Sequence, residues 1–282
     1  DYQRQKPSAV FWIFLAHRRK DSPSSHLCHF MLASRYSAGM EIQGRVAVVT
    51  GGARRVGRAI ALGLADAGAD VFVHYNRSVD PAVAVREEIE ARGVRSAVGS
   101  VDLSDPEQAP RLVAMATEAL GEVSILINSA SGFATDTIED VTLDGWRRSH
   151  DLTLAAPVFL TQAFAAALGE AASGAVLNIT DVRTHHPYRK HFSYVIAKGG
   201  VDAFTRAAAL ALAPRIRVNA VALGVILPPP GEDAAYVEAL AAELPLQRVG
   251  GTEPVVEAAL GLIRNDFVTG EIVRLDGGGH LT

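Results

Sequence analysis

Two side chains that can move a proton stand four residues apart in the sequence, Tyr194 and Lys198. On a helix, residues at this spacing share one face, with their Cβ atoms about 5–6 Å apart. A lysine cation beside a tyrosine phenol favours the phenolate and lowers the tyrosine pKa from its usual value of about 10. Tyr194 would then give or take a proton near neutral pH, as reduction of a carbonyl or an imine requires. The same spacing is common on solvated helix faces, so the pair gains its weight from the surrounding sequence.

A glycine-rich stretch near the start of the chain supplies that context. Residues 46–58 read VAVVTGGARRVGR, which is a short apolar run, a turn and a helix-compatible segment. Gly51, Gly52 and Gly57 allow a tight turn and a close approach of the backbone to a ligand. The N-terminus of a following helix suits a phosphate group. Because the spacing differs from the strict dinucleotide fingerprint, a plain strand–turn–helix corner is the alternative.

Alternating apolar and helical patterns predict the elements that position these residues. Strand-like runs occur at 46–50, 71–75, 95–101, 123–128, 175–180, 216–222 and 271–275. Ala-rich helical segments lie between them at 56–68, 80–92, 105–120, 141–169, 192–213 and 252–264. This alternation predicts a single doubly wound α/β domain of Rossmann type, with a mostly parallel seven-stranded sheet and helices on both faces. The irregular stretch 223–250, with a short helix near 233–243, is expected to be a lid over the ligand crevice.

Length and composition exclude several function classes. The chain has 282 residues, 49% of them hydrophobic, and a net charge of −4, so nucleic acid and anionic membranes are not the expected partners. No apolar run approaches the roughly 18 residues of a membrane-spanning helix. A single cysteine, Cys28, fits a reducing, cytoplasmic location. We expect residues 1–39 to be an N-terminal extension, disordered or upstream of the true start, and residues 40–282 to be the catalytic domain.

The end of the second strand bears on the choice of nicotinamide cofactor. An NAD-selective site usually has an acidic residue here to bind the ribose 2′-hydroxyl, and segment 74–78, His-Tyr-Asn-Arg-Ser, has none. Its histidine, arginine and serine, with Arg54 or Arg55 from the turn, can instead supply cations and a hydroxyl to a 2′-phosphate. The pattern therefore predicts NADP(H), and the alternative is an ordinary polar turn.

Further motifs make residues 44–282 similar to a short-chain dehydrogenase/reductase. They are Asp102 after the third strand, the segment Asn-Ser-Ala-Ser at 128–131, and Arg-Val-Asn at 217–219 running to Gly224. The resemblance implies hydride transfer between NAD(P)H and a substrate, with Tyr194 as the proton donor and Lys198 on the nicotinamide ribose. Asp102 is a candidate acceptor for the adenine amino group, or alternatively a helix cap.

Within that family, the details resemble the pteridine reductase branch. Segment 50–57 fits the pattern T-G-x-x-x-R-x-G, and segment 74–78 fits His-Tyr-x-x-Ser. Asp181 stands thirteen residues before Tyr194, where the family usually has serine and this branch has aspartate. An aspartate can pass a proton to a ring nitrogen. The alternative is that Asp181 is a helix cap or a solvated loop carboxylate.

The same branch implies a substrate site for a flat heteroaromatic ring, which favours contact with an aromatic face. Phe133 fits the position of the stacking residue, Ser131 fits a contact to the ring, and Arg55 would contact the cofactor phosphates and the pterin together. Phe133 as a plain apolar lid residue is the alternative. The histidines at 185, 186 and 191 lack a ligand-like spacing, and no metal site is predicted.

The resemblance thus implies a complete set of site residues. The catalytic set is Asp181, Tyr194 and Lys198. The cofactor-binding set is Gly51, Arg54, Arg55, Val56, Gly57, His74, Tyr75, Asn76, Arg77, Ser78, Asp102, Leu103, Asn128, Ser129, Ala130, Tyr194, Lys198, Gly224 and Ile226. The substrate-binding set is Arg55, Ser131, Phe133, Asp181 and Tyr194.

The leading hypothesis is an NADPH-dependent reductase of a pterin or dihydrofolate-like ring. The alternatives are a carbonyl reductase of another kind, acting on a 3-oxoacyl thioester or another ketone, and a non-catalytic dinucleotide-binding protein. The family's relay asparagine falls at Thr153, whose hydroxyl can hold a water but lacks the reach of an amide. The family is commonly tetrameric, and a homotetramer is expected with the helices of 141–169 and 192–213 at its interfaces.

Overall fold

A parallel sheet is the centre of the fold. The computed structural model describes residues 39–187, 189–228 and 234–282. The strands are β1 (Val46–Val49), β2 (Asp70–Tyr75), β3 (Ser96–Ser100), β4 (Val123–Asn128), β5 (Gly174–Asp181), β6 (Ile216–Leu223) and β7 (Ile272–Leu275). In these ranges they form one sheet in the order β3-β2-β1-β4-β5-β6-β7, and every pairing is parallel. The predicted strands and the predicted fold class are confirmed.

The helices follow the strands as the sequence predicts, with two local differences. They are α1 (Arg55–Asp66), α2 (Val79–Glu90), α3 (Ala109–Leu120), α4 (Leu143–His150), α5 (Ala156–Ala167), α6 (Phe192–Leu212), α7 (Ala234–Ala242) and α8 (Glu253–Arg264). The helix predicted over 141–169 is interrupted by a π-helical turn, Asp151–Ala155. The helix predicted from 105 begins as a short 3₁₀ turn, because the Asp105 side chain accepts a hydrogen bond from the Glu107 amide and caps that turn.

Helices cover both faces of the sheet. On one face, Leu64, Ile89 and Ile263 from α1, α2 and α8 are buried in a common cluster with the strands. On the other face, Leu112 of α3 and Phe164 of α5 are buried in a second cluster, which α6 completes. Because both faces are covered, the central strands β1 and β4 are buried along their whole length.

The topology places the predicted site residues along the carboxyl ends of the strands. Strand β1 lies between β2 and β4: the chain runs from β1 through β2 to β3 on one side, and then crosses to β4 on the other side. The reversal of direction opens a crevice at the carboxyl ends of β1 and β4. Five of the predicted site residues lie at or near the carboxyl ends of five of the seven strands: Gly51, His74, Asn128, Asp181 and Gly224.

Two predicted segments lie wholly or partly outside the described residues. The extension 1–39 is outside them apart from Gly39, and so are residues 229–233 of the lid, whose predicted short helix is α7. Within the described ranges, no helix combines the length and the hydropathy needed to cross a membrane.

Candidate active site

The turn after β1 brings two pieces of backbone into close contact. Gly51 has φ +64°, and a Cβ atom there would lie 3.1 Å from the Cα of Ala130. A Cβ atom on Gly57 would collide with the Gly51 carbonyl. Glycine therefore fits both positions without strain. Arg54 precedes α1 without a side-chain cap, which leaves the first amide groups of the helix available to an anionic ligand.

Thr50 fastens this turn to the loop after β4. Its buried Oγ1 accepts hydrogen bonds from the amides of Ser129 at 2.9 Å and Ala130 at 3.0 Å, and donates to the carbonyl of Ile127 at 3.3 Å. The turn motif contains Thr50, but the motif by itself predicts no role for this residue. Its position between a buried strand and Gly51 was the available signal.

His74 lies behind the turn and is buried. The amide of Gly51 donates to its Nδ1 at 3.2 Å, so Nε2 carries the proton and donates to the carbonyl of Val101 at 2.8 Å. Burial lowers the pKa of His74, and the ring is neutral near pH 7. This geometry corrects the expectation that His74 supplies a cation to a phosphate, because both ring nitrogens hold the turn in place instead.

The other polar residues near the end of β2 are more accessible. Arg54 and Arg77 are exposed, and neither forms an ion pair with any residue in the described ranges. Ser78 precedes α2 without capping it through its side chain. Two arginines and a hydroxyl thus remain at the place where the sequence predicts a 2′-phosphate.

Asp102 is engaged by its own loop. Its Oδ1 accepts hydrogen bonds from the hydroxyl of Ser104 at 2.7 Å and the amide of Ser104 at 3.0 Å, which lower the pKa of the carboxyl. Asn76 donates to the same oxygen at 3.4 Å. Asp102 therefore stabilises its own loop and caps no helix in the described ranges, since Asp105 caps the 3₁₀ turn that follows. It also ties the end of β2 to the loop after β3. Its predicted contact to the adenine stays a prediction.

Several predicted cofactor residues are structural neighbours of the crevice. Val56 and Tyr75 pack against the hydrophobic cluster on the α1 face, and Leu103 is buried in the opposite cluster. Gly224 donates its amide to the carbonyl of Leu275 at 2.9 Å, and the carbonyl of the buried Ile226 accepts from Gly251 at 2.9 Å.

Asn128 begins a buried polar chain across the sheet. Its Nδ2 donates to Oδ1 of Asn178 at 2.8 Å, and Nδ2 of Asn178 donates to the hydroxyl of Thr205 on α6 at 2.9 Å. Oδ1 of Asn128 is buried and has no hydrogen-bond partner among the described residues. A buried acceptor of this kind is open to a donor from water or from a ligand.

Arg55 spans the crevice from the first turn to the segment after β6. Its Nη2 donates to the carbonyls of Pro228 at 3.1 Å and Leu227 at 3.4 Å. The residue has φ +51°, a strained value for a residue with a side chain. In this structure Arg55 links two predicted cofactor segments by hydrogen bonds. Its contacts to the cofactor phosphates and to the pterin stay a prediction.

Tyr194 and Asp181 form the centre of the site. The Tyr194 hydroxyl donates to Oδ2 of Asp181 at 2.8 Å, and Oδ1 of Asp181 accepts from the amide of Arg183 at 2.8 Å. The second bond caps the 3₁₀ turn Val182–Thr184. Asp181 is therefore a cap, as one interpretation of the sequence predicts, and also a direct partner of the phenol. Its role in proton transfer stays a prediction.

Lys198 lies below the tyrosine ring and is buried. Its Nζ is 5.7 Å from the centroid of the Tyr194 ring and donates to the carbonyl of Ile179 at 2.6 Å. Burial lowers the pKa of Lys198 to about 8, against the opposing effect of the Asp181 and Asp202 carboxylates. The ammonium form thus persists at neutral pH, where it favours a phenolate on the same helix face.

The predicted substrate residues lie beside this pair. The Phe133 ring is 57% exposed, with its centroid 4.9 Å from that of Tyr194 in an edge-to-face arrangement. Oγ of Ser131 is 3.4 Å from Oγ1 of Thr153, which is buried in the π-helical turn. The structure thus brings an aromatic face, two hydroxyls, a phenol and a carboxylate together.

The described residues contain no group of three or more histidine, cysteine or carboxylate side chains that could hold a metal ion. His185 and His186 are exposed, and His191 stacks on Phe133 with ring centroids 3.7 Å apart.

Comparison with known proteins finds relatives that are described as oxidoreductases or reductases. The family model described as Enoyl-(Acyl carrier protein) reductase matches residues 51–280. An uncharacterized oxidoreductase of Mycobacterium tuberculosis is 35% identical over 83% of this chain and 91% of its own length. The crystal structure of FolM alternative dihydrofolate reductase 1 from Brucella canis, complexed with NADP, has a TM-score of 0.80 and 37% identity, over 86% of this chain and 96% of that one. A 3-oxoacyl-[acyl-carrier-protein] reductase of Synechocystis is 32% identical over 83% of this chain and 96% of its own.

Proposed function

The chain belongs to the short-chain dehydrogenase/reductase family of oxidoreductases, and on that premise we propose that it is an NADPH-dependent reductase of a pterin or dihydrofolate-like ring. The observation that carries this proposal is the hydrogen bond from Tyr194 to Asp181 beside the exposed ring of Phe133. An aromatic face suits a flat heterocycle, and a carboxylate next to the phenol suits proton delivery to a ring nitrogen. The likeness to a dihydrofolate reductase crystallised with NADP adds support.

The residues of the crevice fit a dinucleotide that carries a 2′-phosphate. In this proposal Gly51, Gly57 and the N-terminus of α1 hold the pyrophosphate, and the cationic side chains of Arg54 and Arg77 hold the 2′-phosphate. The unpartnered buried oxygen of Asn128 is open to a donor. The remaining contacts come from Arg55, Val56, Tyr75, Asn76, Ser78, Asp102, Leu103, Ser129, Ala130, Tyr194, Lys198, Gly224 and Ile226. When bound, NADPH supplies the hydride.

The side chains supply the proton that completes the reduction. A C=N bond takes a hydride on carbon and a proton on nitrogen. Tyr194 holds the proton of this pair, because its hydroxyl donates to the Asp181 carboxylate. It delivers that proton to the nitrogen directly, or Asp181 takes the proton from the phenol and passes it on to the nitrogen. Lys198 stabilises the negative charge that remains on the phenol.

A second candidate is reduction of a 3-oxoacyl thioester or another ketone. The 3-oxoacyl-[acyl-carrier-protein] reductase among the relatives favours it, and a Tyr–Lys pair is sufficient for carbonyl reduction. A non-catalytic dinucleotide-binding protein would have no need of a buried lysine beneath a tyrosine that is bonded to a carboxylate.

Substrate-dependent oxidation of NADPH tests the proposal. Purified protein is assayed with dihydrobiopterin, dihydrofolate and ethyl acetoacetate. Turnover of a pterin supports the proposal, whereas turnover of the ketone alone overturns it in favour of the second candidate. NADPH binding without any turnover overturns both.

Phe133→Ala separates the two reductase candidates. It is expected to raise the KM for dihydrobiopterin about tenfold and to leave ethyl acetoacetate nearly unaffected, because only the pterin needs an aromatic face. Ile138→Ala is the matched control, since Ile138 is an apolar residue of the same loop with 65% of its surface exposed.

We also propose that the protein is a homotetramer in a reducing, cytoplasmic compartment. Phe159 on α5 and Ile196 and Leu210 on α6 are exposed apolar residues on the helices that the family resemblance assigns to interfaces. Light scattering on the eluting protein measures its mass, and a monomer would contradict this part of the proposal.

A further inference from the structure

The loop that carries Ser131 and Phe133 is bonded to the start of the helix that carries Tyr194. Asp136 of this loop accepts hydrogen bonds from Ser193 through both carboxylate oxygens, from the amide to Oδ1 at 3.1 Å and from the hydroxyl to Oδ2 at 2.5 Å. The amide of Phe192 donates to the backbone carbonyl of Asp136 at 3.1 Å. Two residues at the start of α6 are therefore tied to one residue that lies 57 positions before Ser193.

The start of α6 needs such a partner. His191, the residue before the helix, has φ +64° and provides no side-chain cap. The first amides of a helix lack partners within the helix, and a carboxylate near them is favoured by the helix dipole. Ser193 is fully buried, so its hydroxyl also requires an acceptor. Asp136 meets both needs from a distant part of the chain.

A second contact fixes the same loop two residues closer to Phe133. The carbonyl of Ala134 accepts a hydrogen bond of 2.8 Å from Nδ1 of His191, and this bond sets the orientation of the imidazole. The imidazole stacks on the ring of Phe133 at 3.7 Å with an angle of 22° between the rings. Residues 133, 134 and 136 are thus each held by the start of α6.

We propose that Asp136 is a positioning residue that fixes the ring of Phe133 relative to Tyr194 and thereby favours planar ring substrates over small aliphatic ones. Tyr194 lies on the first turn of α6, next to Ser193, so the clamp sets the distance between the aromatic face and the phenol. A ring that stacks on Phe133 depends on that distance, because small displacements of a bound substrate from its reactive geometry cost large factors in rate. The pterin as the ring rests on the proposed function, whereas the clamp itself rests on the contacts of Asp136.

Three variants test the clamp. Asp136→Ala removes both bonds to Ser193, and Asp136→Asn keeps an acceptor oxygen for the Ser193 amide. Asp140→Ala is the matched control, because Asp140 is an exposed carboxylate of the same loop whose bonds go to the amide and hydroxyl of Thr137 at 2.6 and 3.0 Å.

Kinetics with two substrates give the first measurement. In Asp136→Ala the KM for dihydrobiopterin is expected to rise about five- to tenfold, with the KM for ethyl acetoacetate within about twofold of the wild-type value. Asp136→Asn restores most of the loss, and Asp140→Ala behaves as the wild type. An equal rise for both substrates, or no rise for the pterin, overturns the inference.

Hydrogen exchange gives a second measurement that does not depend on activity. At a temperature well below unfolding, peptides covering 131–136 and 192–195 are expected to exchange at least about fivefold faster in Asp136→Ala, and unchanged in Asp140→Ala. Unchanged exchange in Asp136→Ala overturns the clamp.

These measurements separate this inference from the proposed function. If the wild type does not reduce pterins, the proposed function fails, and the KM ratio of ethyl benzoylacetate to ethyl acetoacetate then replaces the pterin measurement. A ratio that is unchanged in Asp136→Ala overturns the clamp's role in ring selection. If no substrate is turned over, the exchange of the two peptides decides.

Discussion

The hydroxyl of Tyr194 donates a 2.8 Å hydrogen bond to one carboxylate oxygen of Asp181, and the other oxygen accepts from the amide of Arg183. Each oxygen therefore has a fixed donor, and the carboxylate plane cannot turn away from the phenol without losing the cap of the 3₁₀ turn. The local cap thus also orients the group that we propose as a proton carrier.

Replacement of Asp181 tests this double role. In Asp181→Asn the amide oxygen still caps the turn, but the side chain no longer titrates. We expect kcat for dihydrobiopterin to fall about 100-fold, with the NADPH dissociation constant within about twofold of wild type. Asp181→Ser, which restores the family's usual residue, should keep ketone reduction and lose pterin reduction.

Asp105→Asn is the control for capping alone. Asp105 caps the 3₁₀ turn Pro106–Gln108 in the same way and has no bond to a tyrosine among the described residues. Its replacement should leave both activities unchanged. Full pterin activity in Asp181→Asn would show that the carboxylate carries no proton.

The lowered pKa of Lys198 is expected to set the alkaline limit of activity. Burial lowers its pKa to about 8, so the ammonium that favours the phenolate is lost above that pH. The kcat/KM for the substrate should be level near pH 7 and fall above about pH 8. Lys198→Arg stays charged over this range, so any activity it retains should lack the fall.

Stability should change in the opposite direction over the same range. Between about pH 8 and the unfolded value of 10.5, the unfolded chain holds a proton on Lys198 that the folded chain has lost. Since the unfolded state binds more protons there, this group contributes a free energy of unfolding that rises with pH. Urea titrations at pH 8 and pH 9.5, compared with Lys198→Met, measure this contribution. If the wild type and Lys198→Met both lose stability over this range, the fall in activity would follow from unfolding. That result would contradict the assignment of the alkaline limit to Lys198.

Arg77 is expected to determine the preference for NADPH over NADH. Arg77→Ala should raise the KM for NADPH about 10- to 100-fold and leave that for NADH within about twofold, because only NADPH has a phosphate to bind. Arg86→Ala on α2 is the control, since Arg86 is a nearby arginine that pairs with Glu87 and Glu90 at 3.7 and 3.8 Å. Equal losses for both cofactors would exclude the 2′-phosphate role.

The elements of the fold were predictable because strands covered on both faces are mainly apolar and the helices between them are rich in alanine. The same property hid the role of His74. In a strand with both faces buried, alternation does not tell which polar residue points inward, so the sequence predicts a phosphate ligand at His74 near the end of β2, whereas its ring holds the turn after β1. The break in the helix at Asp151–Ala155 is not part of the prediction either, although Pro157 just after it cannot donate a hydrogen bond within the helix and is the local signal for such a break.

Within the site, local spacing was informative and distant pairing was not. Tyr194, Lys198 and Asp181 follow from motif spacing, and the structure brings them together. Asp136 and Ser193 are 57 residues apart, and no local pattern links them. Such contacts become visible only once the loop after β4 and the start of α6 are placed side by side.

Thr50 gives the last prediction. In Thr50→Val the amides of Ser129 and Ala130 lose their acceptor, and unsatisfied buried donors are costly. We expect a loss of about 2 kcal/mol in the free energy of unfolding and a Tm lower by about 4–8 °C. NADPH affinity should fall about tenfold as well, because the turn and the loop after β4 line the same crevice. Thr50→Ser retains the hydroxyl and should keep wild-type affinity; equal losses in the valine and serine variants would show that the hydroxyl does not maintain the affinity.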